Sequence, residues 1–320
     1  MKKLLLVVCV SVVSSQVALG QQTSAKRKRP GPSIVWVNEP KQGWDSLPTG
    51  VTHQTFRSRL VDQDIGYCVY QPPQLRFGES SNESYPVLYS LHGNGGNEFT
   101  TLAVAEVLER QIEAGTTPPL IMVFPNGGHS TFYKNRADGK FPIESILLNE
   151  LIPHIDSTMP TIGDRVGRCI EGFSMGGRGA IRLAMKHPKL FCSVFCQAGN
   201  VPHLLDTFDQ LGVEERETSL LGPKRETWEA DDVYAVTTRN QADIKQNVRI
   251  QIACGTKDGG HLPTIRDFHA HLMELGIDHT YMELQNLAHK RTEMLAQLGP
   301  IWFDSHVTAL ARTLRPNERF

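Results

Sequence analysis

One serine carries the strongest chemical signal in the sequence. Ser174 lies in Gly172-Phe173-Ser174-Met175-Gly176-Gly177, which has the G-x-S-x-G form and stands between an apolar run and a helical pattern. A sharp strand-to-helix turn of this kind lifts a serine hydroxyl above the edge of a sheet, and the flanking glycines tolerate the close approach of the backbone. The motif therefore predicts that Ser174 is a nucleophile.

Nucleotide binding is the competing interpretation of these glycines. Gly172 and Gly177 have phosphate-loop spacing, but Arg178 stands where the loop needs lysine and Gly179 where it needs serine or threonine. A second glycine run, at 93–96, lacks the third glycine of a dinucleotide fingerprint. Both nucleotide interpretations are disfavoured.

A serine hydroxyl is a poor nucleophile, so it needs a base, and the base needs an acceptor that orients it. In folds built around such a turn, the acid and then the histidine follow the serine along the chain, each after a late strand. Asp258 follows the apolar run 250–255, and His289 lies beyond the run 281–284, whereas the rival acids Asp231-Asp232 follow no predicted strand. We therefore predict that Asp258 orients the base and that His289 is the base.

Other histidines compete for the role of base. His261 stands three residues after Asp258, precedes the last predicted helix and strand, and would have to reach back. His269 and His271 are two residues apart in a predicted helix, so they lie on different faces. No histidine has a metal-binding spacing such as H-E-x-x-H, and His289 is preferred.

The oxyanion of an acyl-transfer reaction needs two hydrogen-bond donors. One is expected to be the backbone N–H of Met175, directly after the serine and at the start of the following helix. The other is expected to be the N–H of Asn94, in the run His92-Gly93-Asn94-Gly95-Gly96 after the third strand. The glycines on both sides of Asn94 allow the backbone to turn inward.

Three further side chains are candidates for substrate contact. His92 opens the glycine run, and Phe132 and Tyr133 follow Pro125-Asn126-Gly127. The two aromatic rings could stack on a sugar or on an aromatic acyl group, and ordinary packing would explain them equally well.

Glu171 is unusual, because an apolar residue would pack better directly before the turn. A buried carboxylate needs a partner. Arg178 and Arg182 are the candidates, and a structural ion pair is favoured over a catalytic role.

Apolar runs alternate with helical patterns over most of the chain. This alternation predicts an α/β protein with a mostly parallel central sheet flanked by helices on both faces. The predicted strands are 55–61, 65–71, 87–91, 120–124, 166–173, 191–197, 248–253 and 279–284, and the predicted helices are 98–113, 143–157, 175–186, 264–275 and 293–314.

The amino terminus has the plan of a secretory signal peptide. Lys2 and Lys3 precede the apolar stretch Leu4 to Val13, and Ala18-Leu19-Gly20 supplies small residues. The apolar stretch is too short to span a membrane, which takes about 20 residues. We expect a signal peptide at 1–20 and a secreted or periplasmic mature protein.

The rest of the chain divides into a linker and one large domain. Residues 21–50 are rich in Pro, Gly, Lys and Gln and lack sustained periodicity, which predicts a linker, and residues 51–315 form the α/β domain. The stretch 200–237 breaks the alternation and is interpreted either as a cap over the site or as a decorated loop.

Composition and cysteine usage set further bounds. The net charge of −1 indicates no nucleic-acid partner, and no segment is long enough for a membrane span. The five cysteines beyond the signal segment have no disulfide-scaffold or metal-type spacing, so buried free thiols are favoured, with one bridge between neighbouring strands left open. Oligomeric state is not defined by the sequence.

These motifs together resemble the esterase D group of α/β-hydrolases, which includes feruloyl and acetylxylan esterases, S-formylglutathione hydrolase, enterochelin-type esterases and mycolyltransferases. The resemblance covers about 52–314 and implies the α/β-hydrolase fold, a triad of Ser174, Asp258 and His289, an oxyanion hole at Asn94 and Met175, and no metal or organic cofactor. The matching segments, in order, are Val69-Tyr70-Gln71-Pro72-Pro73, Leu91-His92-Gly93, Phe124-Pro125-Asn126-Gly127, Glu150-Leu151-Ile152-Pro153-His154-Ile155-Asp156, Gly172-Phe173-Ser174-Met175-Gly176-Gly177 and Cys254-Gly255-Thr256-Lys257-Asp258.

The leading hypothesis is a secreted serine carboxylesterase that acts through an acyl-enzyme. Export favours acetyl or hydroxycinnamoyl esters of polysaccharides over a cytosolic thioester. The same residues would serve an acyltransferase or a siderophore or short-chain esterase. A catalytically silent binding protein on the same fold is the alternative of another class.

Overall fold

The computed structural model describes residues 34–40, 46–78 and 83–314. The predicted signal peptide at 1–20 and much of the predicted linker lie outside the described residues.

Eight strands form one sheet in the order β1-β2-β4-β3-β5-β6-β7-β8. Strand β2 pairs antiparallel with β1 and with β4, and all the other neighbours pair in parallel. The strands are β1 Val51–Ser58, β2 Gln63–Tyr70, β3 Val87–Leu91, β4 Ile121–Pro125, β5 Arg168–Phe173, β6 Ser193–Gln197, β7 Arg249–Gly255 and β8 His279–Leu284. The eight predicted strands are confirmed, with shifts of a few residues at their ends.

Helices connect the strands and cover the sheet. They are α1 Pro73–Arg76, α2 Ala103–Glu113, α3 Ile143–Ile146, α4 Ile152–Thr158, α5 Met175–Lys186, α6 Leu204–Gln210, α7 Val213–Thr218, α8 Arg225–Glu229, α9 Val233–Arg239, α10 Gln241–Asn247, α11 Leu262–Glu274, α12 Arg291–Leu298 and α13 Asp304–Thr313. A π-helical turn, Leu147–Leu151, joins α3 to α4, and short 3₁₀ turns lie at Arg165–Gly167 and Gly299–Ile301.

Prolines account for two differences from the predicted helices. The helix predicted over 143–157 is interrupted where the N–H of Ile152 donates to Leu147 five residues back, just before Pro153, which has no N–H to donate. The helix predicted over 293–314 is broken at Gly299-Pro300 into α12 and α13. Helix α2 begins at Ala103, five residues later than predicted.

The core lies on both faces of the central parallel strands. Every residue of β3, β4 and β6 is buried, as is typical of strands in a sheet that is covered on both faces. The five cysteines, Cys68, Cys169, Cys192, Cys196 and Cys254, are buried free thiols, and the Sγ atoms of Cys169 and Cys192 lie 3.6 Å apart.

Part of the predicted linker is bound to the domain. Asn126 Nδ2 donates to the carbonyl groups of Val35 (2.8 Å) and Trp36 (3.0 Å), and Asn38 is hydrogen-bonded to the buried Glu98. The segment 34–38, which lies within the predicted linker or extended segment 21–50, therefore packs beside the loop that follows β4.

The stretch 200–237 is helical. It contains α6 to α9 and a small apolar cluster of its own around Leu204, Leu221 and Trp228. It is attached to the loop after β4 by the N–H of Ala137, which donates to Leu220 O at 2.8 Å. Within the described residues, no helix is long and apolar enough to cross a membrane.

Candidate active site

Ser174 occupies a strained turn between β5 and α5. Its φ of 57° and ψ of −118° lie in a region that non-glycine residues seldom adopt. The turn is held by its own N–H, which donates to Gln197 O on β6 at 2.8 Å. A Cβ on Gly176 would lie 2.2 Å from Leu91 O, so the start of α5 can pass this close to β3 only with glycine there. These contacts explain why the motif needs its glycines.

The structure brings Ser174, Asp258 and His289 together. His289 Nε2 lies 2.9 Å from Ser174 Oγ, and His289 Nδ1 lies 2.6 Å from Asp258 Oδ2. Asp258 is buried, whereas the imidazole of His289 is about one third exposed. An ionised carboxylate can only accept, so the Nδ1 of His289 carries a proton and, in the neutral ring, Nε2 is free to accept the serine proton.

The loops after β7 and β8 hold each other in place. Lys257 N donates to Leu287 O at 2.9 Å, and Asn286 N donates to Thr256 Oγ1 at 2.9 Å. Asn286 itself has a φ of 61°, which bends the chain beyond β8 toward Ser174. Parallel pairing of β7 with β8 places these loops at the same edge of the sheet as Ser174.

His261 lies in the same cluster and is a contact that the sequence analysis missed. Its Nδ1 lies 2.8 Å from Asp258 Oδ1, and its ring stacks on His289 with centroids 4.0 Å apart and an interplanar angle of 6°. The three-residue spacing from Asp258 was the signal in the sequence. This spacing indicates that His261 contacts Asp258, across the turn that precedes α11, and does not contact Ser174.

The rival histidines and acids make other contacts. His269 stacks on Tyr281, and His271 Nε2 lies 3.2 Å from Thr238 Oγ1. Asp231 forms ion pairs described below, and Asp232 accepts from the backbone of Leu204 and Ala235.

His92 is a support beneath the site and not a surface for substrate, which corrects its prediction as a substrate contact. Its side chain is 1% exposed; Nδ1 lies 2.8 Å from Gly93 O, and Nε2 accepts the N–H of Gly127 at 2.9 Å. Burial lowers the pKa of His92 to about 4, against a smaller opposing effect of its bond to Gly93 O. The neutral ring therefore ties the loop after β3 to the loop after β4.

The predicted oxyanion donors lie beside this support. A Cβ on Gly93 would be 3.5 Å from Ser174 Cβ, so the backbone that leads into Asn94 runs directly past the nucleophile. The side-chain oxygen of Asn94 accepts from Ser130 N (2.9 Å) and Ser130 Oγ (2.8 Å), which anchors the loop. Met175 is the first residue of α5, where a backbone N–H has no partner within the helix. Their roles as donors stay predictions.

Tyr133 is a core residue, which corrects its prediction as a stacking surface. It is fully buried, and a Cβ on Gly127 would lie 2.3 Å from its ring. Phe132 is only half-buried, and the guanidinium of Arg178 lies over its ring, 4.7 Å from the centroid. Phe132 therefore remains a candidate for substrate contact.

The partners of Glu171 differ from both predicted arginines. Its Oε1 accepts from Ser90 Oγ at 2.9 Å and its Oε2 from Trp302 Nε1 at 2.8 Å. Arg178 lies over Phe132, and Arg182 is bound elsewhere. Trp302 is 131 residues away in sequence, so no local spacing signals this contact.

A buried network of charges behind α5 was not predicted. The fully buried Arg182 pairs with Glu144 (2.5 Å) and Asp231 (2.6 Å), and Lys134 pairs with Asp231 at 2.9 Å. Burial lowers the pKa of Lys134 to about 7, although the charge of Asp231 opposes this shift. Arg182 Nη2 also donates to Tyr133 O at 2.5 Å, which ties the loop after β4 to α5.

The candidate site also contains a group with metal-ligating atoms. One such atom from each of Asp258, His261 and His289 lies within 4.8 Å of the others. In this structure the Nδ1 atoms of both imidazoles lie within hydrogen-bonding distance of the Asp258 carboxylate, at 2.8 Å for His261 and 2.6 Å for His289.

Comparison with known proteins identifies the family to which the chain belongs. Residues 58–274, more than half of the chain, match the family model described as "Putative esterase". The chain belongs to this esterase family. The resemblance to esterases predicted from its motifs is confirmed.

Relatives and solved structures extend the comparison. An esterase of Mycobacterium tuberculosis is 33% identical over 148 residues, which are 45% of this chain and 31% of that protein, so the chain spans about a third of that relative. An acetyl esterase from Caldicellulosiruptor saccharolyticus is 26% identical over 245 residues, 71% of this chain and 88% of that protein. The structure of a ferulic acid esterase superposes with a TM-score of 0.68 at 22% identity and covers 81% of this chain and 98% of that one. The predicted α/β-hydrolase fold is confirmed.

Proposed function

We propose that this member of the esterase family is an exported serine carboxylesterase that works through an acyl-enzyme. The observation that carries the proposal is the unbroken chain of contacts from Ser174 Oγ through the His289 ring to Asp258, with distances of 2.9 Å and 2.6 Å. Both distances are within hydrogen-bonding range, as a nucleophile, its base and the orienting acid require. The strained φ of Ser174 supports the same role.

In the proposed reaction, Ser174 Oγ attacks the ester carbonyl carbon while its proton passes to His289 Nε2. Asp258 accepts the Nδ1–H of the resulting imidazolium and stabilises its charge. His289 then donates the proton to the departing alkoxide, which leaves as the alcohol. Water attacks the acyl-enzyme while His289 takes one of its protons. The tetrahedral intermediate then expels Ser174 Oγ, which receives that proton from His289, and the carboxylic acid is released.

In this proposal the backbone N–H groups of Asn94 and Met175 donate hydrogen bonds to the negatively charged oxygen of the tetrahedral intermediate. The first turn of α5 presents its unpaired N–H groups and the positive end of its dipole to Ser174. The backbone of Gly93 runs close to Ser174, since a Cβ on Gly93 would lie 3.5 Å from Ser174 Cβ, and this supports a donor from Asn94 on the other side. Loss of one such donor costs about 10²–10³ in turnover.

The substrate class we propose is an acetyl or hydroxycinnamoyl ester of a polysaccharide. The names of the acetyl esterase and the ferulic acid esterase support short acyl and aromatic acyl groups, respectively. The signal-like pattern at residues 1–20 supports an extracellular or periplasmic substrate. The half-buried ring of Phe132, backed by Arg178, is a candidate surface for an aromatic acyl group or a sugar.

The test combines a covalent probe with a substrate panel. A fluorophosphonate should label the wild type but not Ser174→Ala, and His289→Ala should lower kcat by about 10³ or more. Labelling that survives Ser174→Ala would refute the assignment of the nucleophile. Labelling without hydrolysis of any acetyl, feruloyl or longer acyl ester would favour transfer to another acceptor, and no labelling at all would favour the silent binding protein.

Export has its own measurement. The protein from fractionated cells should be found outside the cytoplasm, with a mature amino terminus near Gln21. An unprocessed Met1 in the cytoplasmic fraction would contradict this part of the proposal and leave the chemistry untouched.

A further inference from the structure

The Asp258 carboxylate serves two imidazoles. Its Oδ2 accepts from His289 Nδ1 at 2.6 Å, and its Oδ1 accepts from His261 Nδ1 at 2.8 Å. We infer that His261 is a positioning residue, which holds Asp258 and His289 in the orientation that proton transfer from Ser174 requires. The inference rests on the proposed function and adds a member to its site.

The first restraint acts on the carboxylate of Asp258. A single N–H bond to Oδ2 leaves the group able to swing about its Cβ–Cγ bond, whereas a second N–H on Oδ1 opposes that rotation. Asp258 is buried, so solvent does not compete for its oxygens. His261 thereby restrains the direction in which Oδ2 faces His289, and the Sγ of Cys254, 3.8 Å from Oδ2, adds a weaker contact.

The second restraint acts on the imidazole ring of His289. His261 stacks on His289 at 4.0 Å with an angle of 6°, and Phe173 stacks on His289 at 4.6 Å with an angle of 30°. Two rings cannot occupy one face of an imidazole at these distances, so His289 lies between them. The sandwich restrains the plane in which Nε2 meets Ser174 Oγ.

His261 is itself held in place by hydrogen bonds of its backbone. It stands at the start of α11, where its N–H donates to Asp258 O at 3.1 Å and its own carbonyl accepts from Ile265 N at 3.1 Å and Thr264 Oγ1 at 3.0 Å. Ile265 is fully buried against the core. The imidazole is thus carried by a helix terminus anchored in the core.

This arrangement predicts an effect on turnover. A displacement of about 1 Å in a catalytic group costs about 100-fold in rate. Because His261 acts through Asp258 and His289, its loss should lower kcat and the rate of fluorophosphonate labelling while KM changes little.

Three substitutions separate the hydrogen bond from the stack. His261→Ala removes both, His261→Asn keeps a donor for Asp258 Oδ1, and His261→Phe keeps the stacked ring. For a short-chain ester, we expect His261→Ala to lower kcat by about 10- to 100-fold with KM within about twofold. The Asn and Phe variants should each recover part of that loss. Melting temperatures identify a variant that fails to fold, and the other two then carry the test.

A double-mutant cycle tests the route of the effect. In an Asp258→Asn background, His261→Ala should cost less than it does in the wild type, because the route through the carboxylate is gone and only the stack on His289 remains. Wild-type kcat and labelling rate in a folded His261→Ala, or a full additional loss in the Asp258→Asn background, would overturn the inference. Neither result would affect the assignment of Ser174, which stands or falls with the labelling of Ser174→Ala.

Discussion

The indole N–H of Trp302 donates to Glu171 Oε2 at 2.8 Å, and both side chains are fully buried. Glu171 is three residues before Ser174 on β5, and Trp302 lies between α12 and α13, in the segment that follows the loop of His289. This bond therefore joins the strand that carries the nucleophile to the segment beyond the base.

Glu171→Leu should lower the free energy of unfolding by about 3 kcal/mol, because it leaves the buried donors of Trp302 and Ser90 without an acceptor. Glu171→Gln keeps one carbonyl acceptor and should lose about half as much. Chemical denaturation of both variants, beside Trp302→Phe, measures the difference. Equal stability of Glu171→Leu and the wild type would mean that neither bond contributes.

Gly176→Ala should prevent the turn at Ser174 from forming, because its Cβ would lie 2.2 Å from the backbone oxygen of Leu91. Overpacking of this kind costs about 1–3 kcal/mol or more, and we expect both stability and fluorophosphonate labelling to fall. Gly212→Ala is the matched control, since nothing lies within 4 Å of the Cβ it would add. An active, stable Gly176→Ala would contradict the close approach of α5 to β3.

Glu144 should make the protein sensitive to acid. Burial by itself would raise the pKa of Glu144, but the charge of Arg182, a hydrogen bond from His187 and the charge of Lys186 lower it to about 2, below its ordinary value of 4.5. A carboxyl whose pKa is depressed by folding contributes stability above its unfolded pKa and loses it as the pH falls through the folded value.

The expected loss for Glu144 lies between pH 4.5 and pH 2 and amounts to about 3 kcal/mol. Stability measured against pH should show this slope in the wild type and less of it in Glu144→Gln. Glu214→Gln, at an exposed position, is the control and should leave the slope unchanged. Identical slopes in the wild type and Glu144→Gln would refute the assignment to this network.

His92→Phe should lower both the stability of the protein and its activity, because His92 ties the loop after β3 to the loop after β4. The ring nitrogen that accepts from Gly127 N is lost, and an unpaired buried N–H costs about 1–3 kcal/mol. Because the backbone of Gly93 runs close to Ser174, we also expect kcat to fall by about tenfold. His92→Gln, which retains an acceptor, should recover part of both losses.

The measurements for His92 are a melting curve and kcat for one short-chain ester. Tyr133→Phe, which removes only a long 3.3 Å bond to His92 O, serves as a comparison with a small expected cost. Since the pKa of His92 is about 4, its own titration should not affect activity near neutral pH.

The sequence analysis predicted the strands from local patterns, and it predicted the cluster of Ser174, Asp258 and His289 from the order in which these residues follow parallel strands. Apolar runs and helical periods are local, and residues that follow the parallel strands of one sheet lie at the same edge of it. It was wrong where a partner or a degree of burial comes from another element, as for the arginines expected beside Glu171 and the stacking role expected of Tyr133.

What the sequence alone determined is the alternation that builds the sheet, the glycine-flanked motif that permits the turn at Ser174, and the chain order in which an acid and an imidazole follow it, since each can be recognised from residue types and their order along the chain. Only the tertiary structure decided three contacts. The buried ring of His92 accepts from Gly127 N, the indole of Trp302 donates to Glu171, and His261 shares the Asp258 carboxylate with His289. For His92 and Trp302 the physical reason is that their partners are brought to them by packing between distant segments, which leaves no trace in local spacing. For His261 the three-residue spacing allowed the contact, and the fold decided that His289 occupies the other oxygen of the same carboxylate.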